Sequence, residues 1–370
     1  MIYLDNAATT YPKPDCVYEA INEGMRKYSF NAGRGSYEAA RATFKMIQET
    51  RELIGSIINV SSNNVIFTSS ATESLNNIIY GLGLSKEDTI FVSPFEHNAV
   101  IRTIHNTGAN IEVIPFDKKT WAINSNELND LYAIKKPKAT IISHISNVTG
   151  FELPYQQIFE ISKKYNCINV LDCAQSFAIF PIINKNIDFI VFAGHKSLYA
   201  MFGIAGYINI SSTNLIPYKI GGTGSDSLNL NMPDVLPSKY EAGSLNSVGI
   251  YSINASLKFL KNNKYDIIEN ELTKYLIKKL KNIDNLIMYL PEEYISHGIV
   301  SFNIQGYSAD DVGTILSEDY NICVRIGYHC APLIHDFIES KPYNGTVRIS
   351  LGIFNTKEDI DTLIEALSNL

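Results

Sequence analysis

The sequence has no cysteine pairs at close spacing, no long apolar run and no block of like charge. Its five cysteines (Cys16, Cys167, Cys173, Cys323 and Cys330) are odd in number and scattered. That pattern argues against a disulfide framework and against a zinc site, and no metal is expected. In a reducing compartment each cysteine is by default a small buried hydrophobe. No stretch approaches the apolar length that spans a bilayer. The start, Met1-Ile2-Tyr3-Leu4-Asp5-Asn6, has neither the basic region nor the apolar core of a secretion signal. A cytoplasmic protein without a membrane partner is expected. The net charge of −7 is modest and not concentrated in any run. Without a basic stripe to track a phosphate backbone, nucleic acid is not an expected partner.

What is present is enough chain, 370 residues with 45% hydrophobic content, to build more than one core and enclose a cofactor. Residues 36–56 read as an amphipathic helix with Ala40, Phe44, Ile47, Leu53 and Ile57 as its apolar stripe. Short apolar runs follow at 65–67, 89–93, 111–115, 139–143, 167–172, 187–193 and 203–210, with helical stretches such as 154–165 between several of them. Continuous apolar strands alternating with helices predict an α/β fold with a mostly parallel central sheet covered on both faces. From about residue 250 the order changes. Long helices at 249–262 and 266–282 precede strands near 285–290, 298–304, 321–326 and 345–351, and a closing helix spans 357–369. This predicts a large domain over 1–248 and a smaller α+β domain over 249–370, with the segment 1–35 packing on the smaller one. The Gly-rich stretch Gly221-Gly222-Thr223-Gly224-Ser225 opens a long loop between them.

Three features fall at the ends of predicted strands, where open α/β sheets bind ligands. Ser69-Ser70-Ala71-Thr72-Glu73 joins a strand to a helix, offering free N–H groups to an anion without a lysine. Read alone, it is better explained as an ordinary N-cap, with Ser70 or Thr72 satisfying the first turn. Asp172 directly follows a buried strand, a costly place for a carboxylate unless it meets a cation. A protonated pyridine nitrogen is such a cation, and Gln175 lies three residues on; a structural cap is the other reading. Ala193-Gly194-His195-Lys196-Ser197 follows another buried strand, placing a lysine for an imine beside a histidine for phosphate. The three together point to pyridoxal 5′-phosphate (PLP) carried on Lys196.

Further motifs accompany these: Tyr3-Leu4-Asp5-Asn6-Ala7-Ala8-Thr9-Thr10, Asn31-Ala32-Gly33-Arg34-Gly35, Glu96-His97-Asn98-Ala99, Ser146-Asn147-Val148-Thr149-Gly150, Arg325-Ile326-Gly327-Tyr328-His329-Cys330-Ala331 and Thr346-Val347-Arg348-Ile349-Ser350. In this order and over nearly the whole chain, they resemble the cysteine desulfurases of the class V aminotransferase family, PLP enzymes of fold type I. The nearest group has a short Arg-x-Gly-(His/Tyr)-His-Cys-Ala loop. The resemblance implies that His97 stacks on the PLP ring, that Asp172 pairs with its nitrogen and Gln175 with its oxygen, and that Ala71, Thr72 and His195 hold its phosphate. It implies that Asn147, Arg325 and Arg348 bind the substrate amino acid, and that Cys330 accepts sulfur. It further implies that the Gly243-Ser244 region meets the other subunit's cofactor in a homodimer.

The activity implied is conversion of L-cysteine to L-alanine through a persulfide on Cys330, then transfer to an acceptor, which in the short-loop group is a small protein or none. Selenocysteine lyase activity is the alternative, with an aminotransferase or epimerase, or a non-catalytic sulfur carrier, behind it. Cys330 is favoured over the other cysteines by its loop position and by His329 and His335 nearby, which are expected to lower its pKa. His105 and His144 read as structural. Ala193 and Tyr328 depart from the family pattern, which carries a phosphate-binding serine and a histidine there.

Overall fold

The computed structural model describes the chain except for residues 34, 212, 225–227, 262–263 and 292–295. Arg34 and Ser225, which fall in two of the segments above, lie outside the described residues. The chain begins with a two-residue strand, β1 (Ile2–Tyr3). The central sheet follows, built from β2 (Val65–Thr68), β3 (Thr89–Val92), β4 (Asn110–Val113), β5 (Ala139–Ser143), β6 (Ile168–Asp172), β7 (Phe189–Ala193) and β8 (Ala205–Asn209). Their order is β2-β8-β7-β6-β5-β3-β4. The pairs joining β3 to β7 are parallel; only β8 runs against both its neighbours.

The near-continuous apolar runs are explained by burial on both faces. Along β7, Phe189 and Val191 pack beneath the helices Ala71–Gly81 and Asn98–Thr107. Ile190 and Phe192 pack on the other face, beneath Glu38–Ile57, Tyr155–Lys163 and Ser247–Leu260. The expected stripe on the helix Glu38–Ile57 is partly corrected. Phe44 and Ile57 are exposed, and the buried face carries Ala40, Thr43, Ile47, Thr50, Arg51 and Ile54.

The second sheet has the order β12-β13-β10-β9, all antiparallel, from β9 (Leu286–Met288), β10 (Ile299–Ile304), β12 (Arg325–Gly327) and β13 (Thr346–Ser350). Helices Tyr265–Leu280, Ala309–Glu318 and Lys357–Ser368 complete its core. The single strand expected at 321–326 is in fact two. β11 (Ile322–Cys323) pairs in parallel with β1, whereas β12 pairs with β13. The first residues of the chain are thereby clipped to its last third, and Leu4 is buried in the core of the second sheet.

One edge of the central sheet is closed by side chains. Arg51 donates to the carbonyl of Val65, and Glu241 Oε1 accepts from the N–H of Phe67 at 2.6 Å, so outward-facing groups of β2 are satisfied. Arg51 Nη2 and Glu241 Oε2 are 2.6 Å apart, with side-chain exposures of 2% and 6%. The guanidinium also lies 4.6 Å from the Phe67 ring centroid. Truncating one partner of such a pair leaves a buried charge unmatched. Arg51→Met is therefore expected to lower unfolding free energy by about 3–5 kcal/mol in a denaturant titration, and Arg51→Met with Glu241→Gln to recover part of the loss.

Candidate active site

A cavity of about 250 Å³ opens at the carboxyl ends of β5, β6 and β7. It is lined by eleven of the predicted residues: Ala71, Thr72, His97, Asn147, Asp172, Gln175, His195, Lys196, Arg325, Cys330 and Arg348. Ser244 is elsewhere, on a second cavity of about 950 Å³ with Glu241, Gly243 and Asn31.

At one end of the cavity the helix Ala71–Gly81 starts, with the Ser70 hydroxyl accepting from the Glu73 N–H at 3.1 Å. The N–H groups of Ala71 and Thr72 find no acceptor among the described residues. His195 faces the same end. Its ring stacks on Phe202 with centroids 4.5 Å apart, and its buried Nδ1 has no partner among the described residues. Burial lowers its pKa to about 4, with the Lys196 charge adding to the effect. The chain reaches this position because β7 turns at Gly194, where a Cβ would lie 2.5 Å from the Ile204 carbonyl. Ala193, buried on the cavity wall, offers no hydroxyl there.

In the middle, β6 and β7 are parallel neighbours that present Asp172 and Lys196 from their carboxyl ends. Asp172 Oδ1 accepts from the Ala174 N–H at 2.9 Å, and the carboxylate forms no ion pair with a described residue. Burial pushes its pKa up. Burial likewise pushes the Lys196 amine below its ordinary value, against the pull of Asp172. His97 caps the helix Asn98–Thr107, its Nδ1 accepting from Ala99 N–H at 3.0 Å. Its pKa is lowered to about 3, mainly by burial, leaving a neutral ring for stacking. Gln175 Nε2 donates to the Ala7 carbonyl at 2.9 Å, which fixes the amide in place.

At the far end stand Arg348, Arg325 and Cys330. Arg348 is 2% exposed and donates to Asp5 Oδ1 at 2.7 Å and to the Asn147 carbonyl at 2.8 Å. The Asn147 amide donates to the His329 carbonyl at 2.8 Å, and the Asn98 N–H to the Cys330 carbonyl at 2.6 Å. These bonds hold His329 and Cys330 in consecutive left-handed conformations, φ 48° and 57°. Each such non-glycine residue costs about 1–2 kcal/mol, so the loop is fixed against an intrinsic preference. Cys330 is the one exposed cysteine; Cys167 and Cys173 are buried.

The expected help from histidines is corrected. His329 Nε2 lies 2.8 Å from the Thr346 hydroxyl, and His335 is bound by the Ser340 hydroxyl at 2.7 Å and the Tyr328 carbonyl at 3.0 Å. Burial pushes both pKa values down, His329 strongly, so both rings are neutral. The arginines sharing the cavity with Cys330 are Arg325 and Arg348. Tyr328 is 48% exposed with its ring edge-on to His335, and does not line the cavity. His144 is buried, its Nδ1 2.9 Å from the Ser176 hydroxyl.

Two carboxylates given no role in the sequence reading shape the site. Asp5 holds Arg348. Glu96, fully buried, accepts from the Ser93 hydroxyl at 2.5 Å and from Ser143 N–H and hydroxyl at 2.9 and 2.8 Å. It ties the turn before His97 to the end of β5, and its pKa is raised to about 7, chiefly by burial. A carboxylate adjoining a candidate ring-stacking histidine was the available signal.

The residues present fit PLP. The unpartnered Ala71 and Thr72 N–H groups and His195 Nδ1 suit a phosphate, and the buried Asp172 lacks a cation of the kind that a pyridine nitrogen provides.

The sequence matches the model of the aminotransferase class-V family over residues 2–363. It is 30% identical over 385 residues to a protein of Methanothermobacter thermautotrophicus named "Probable cysteine desulfurase", covering 100% of this chain and 94% of that one. Its structure is similar to the apo cysteine desulfurase of Thermococcus onnurineus, with TM-score 0.89, 27% identity and coverage of 100% and 94%. It is also similar to the Escherichia coli cysteine desulfurase CsdA in its S-sulfonic acid form, with TM-score 0.85, 25% identity and coverage of 99% and 94%. A parallel sheet with Asp172 and Lys196 at adjoining strand ends, matched along almost its whole length, places the chain in the class-V aminotransferase family.

Proposed function

We propose that this protein is a PLP-dependent cysteine desulfurase that converts L-cysteine to L-alanine and carries the sulfur on Cys330. The observation that supports this most directly is an exposed cysteine on a strained, anchored loop, sharing one cavity with a half-buried lysine and two arginines. Members of the family are PLP-dependent. When bound, PLP supplies an electron sink for the bonds around the substrate Cα.

The chain's own residues do the rest. Ala71, Thr72 and His195 hold the phosphate, His97 covers one ring face, and Asp172 holds the proton at the ring nitrogen. Gln175 serves the ring oxygen. Arg348, Arg325 and Asn147 orient the substrate carboxylate. Lys196, whose pKa burial lowers, takes the Cα proton and later returns one to the product. Cys330 Sγ, as thiolate, attacks the substrate sulfur. A bond between sulfurs forms, the substrate Cβ–S bond breaks, and its electron pair stays with Cβ, which takes a proton as L-alanine leaves. The persulfide then passes to an acceptor, for which the exposure of Cys330 provides access.

We also assign a homodimer, in which Ser244 serves the partner's cofactor. The support is the 950 Å³ cavity beside Ser244 and the exposure of the large apolar side chains Ile220 (75%), Leu228 (97%) and Leu230 (99%), which are suited to contact with a second copy. The cytoplasm, where free thiols persist, suits five unpaired cysteines.

Cys330→Ala is expected to lose alanine and sulfide release from L-cysteine by about a hundredfold or more, while binding PLP as the wild type does. Full desulfuration by that variant would remove Cys330 from the mechanism. With L-selenocysteine as a parallel substrate, the same assay ranks the two amino acids. Lys196→Ala is expected to leave no cofactor covalently fixed by borohydride. Because burial lowers the Lys196 pKa, imine formation on adding PLP to apoprotein should persist to lower pH than with free Nα-acetyl-lysine. Coincident pH profiles would show that the lysine is not neutralised by its site.

A further inference from the structure

Arg348 does not stand free at the end of the cavity. Asp5 already occupies Nη2 at 2.7 Å, the Asn147 carbonyl occupies Nη1 at 2.8 Å, and Nε is buried without an acceptor among the described residues. Asp5 is placed there by backbone pairing. It bridges in parallel to Ser350, and the next two N–H groups, of Asn6 and Ala7, donate to the Ser350 carbonyl and hydroxyl at 3.3 and 2.9 Å. Its side chain is only 20% exposed.

Directly opposite Arg348 in the β12–β13 register is Arg325, which lines the same cavity and forms no ion pair with any described residue. Like charges facing each other across a strand pair are unfavourable unless anions balance them. After burial itself, the Arg325 charge is among the influences that lower the Arg348 pKa, and Asp5 opposes it. This wall therefore holds two guanidinium groups and one carboxylate.

We propose that Asp5 is a specificity-determining residue: a built-in carboxylate on Arg348 that leaves one unmatched positive charge on the β12–β13 wall, admitting substrates with a single carboxylate and rejecting dianions. The inference rests on reading the cavity as an amino-acid site. One entering carboxylate brings the wall to balance. A second adds a negative charge that has left water without a partner, which is the costly case. A substrate whose side chain is an uncharged thiol meets this condition; aspartate and glutamate do not.

The test is calorimetric titration of the holoenzyme with propionate, succinate and propylamine. The wild type is expected to bind propionate in preference to succinate. Asp5→Asn keeps size and an acceptor for Arg348 but removes the charge. It should tighten propionate by about three- to tenfold and succinate by more, and leave propylamine unchanged. Asp5→Glu should keep the wild-type preference. Arg325→Gln should act in the opposite sense, weakening propionate by about tenfold, and it carries the test alone if Asp5→Asn does not fold. Weaker propionate binding in Asp5→Asn, a propylamine shift as large as the carboxylate shifts, or unchanged propionate binding in Arg325→Gln would each overturn the proposal. None of these probes is turned over. Failure of the wild type to release alanine from cysteine would thus defeat the desulfurase reading and leave the carboxylate result standing.

Discussion

Burial of charge at the ends of parallel strands is the constraint on which the rest of this structure depends. Asp172 and Lys196 leave water because β6 and β7 carry them there, adjoining and in the same direction. Each is pushed toward its neutral form by that burial. The sheet must then be rigid enough to stop either group from escaping to solvent, and its two-faced core provides this rigidity. An amine with a lowered pKa and an acid in want of a cation are what imine and pyridine chemistry require. The cost of desolvation and the reactivity of the site have the same origin.

The second half of the site is assembled from distant parts of the chain. Arg348 sits on β13, its carboxylate partner Asp5 follows β1, and the loop bearing Cys330 follows β12. Asn98 and Asn147, both near the ends of central strands, reach across to the carbonyls of that loop. The loop that carries Cys330 is therefore anchored to the sheet that would hold the cofactor. The parallel pairing of β1 with β11 completes the frame.

Much of this was legible in sequence because strand-end positions announce themselves. A carboxylate after Val170-Leu171 and a lysine shortly after Val191-Phe192 stand out against apolar runs, and the small residues around Ala71 mark a helix start. Asp5 was not legible, because its role is set by a partner, Arg348, that lies far away in sequence, and Glu96 showed only its place beside His97, not its tie to the distant Ser143. His329 and His335 were misread for a related reason. Adjacency to Cys330 in sequence says nothing of charge, and burial makes both rings neutral. The split at Val324 was equally hidden, since what separates β11 from β12 is the choice of partner strand.

The closure of β2 by Arg51 and Glu241 bears on how the molecule meets other chains. An open edge strand is a template on which a foreign strand can add through its backbone, with little regard for sequence. Here the outward carbonyl of Val65 and N–H of Phe67 are already taken by side chains that belong to the same protein. The large cavity lies beside this edge and includes both Arg51 and Glu241 in its wall. Any chain that docks there encounters shape and side-chain chemistry rather than a free ladder of peptide groups. Association at this surface is thereby made selective, and the runaway pairing of sheets that leads to aggregates is denied its starting point.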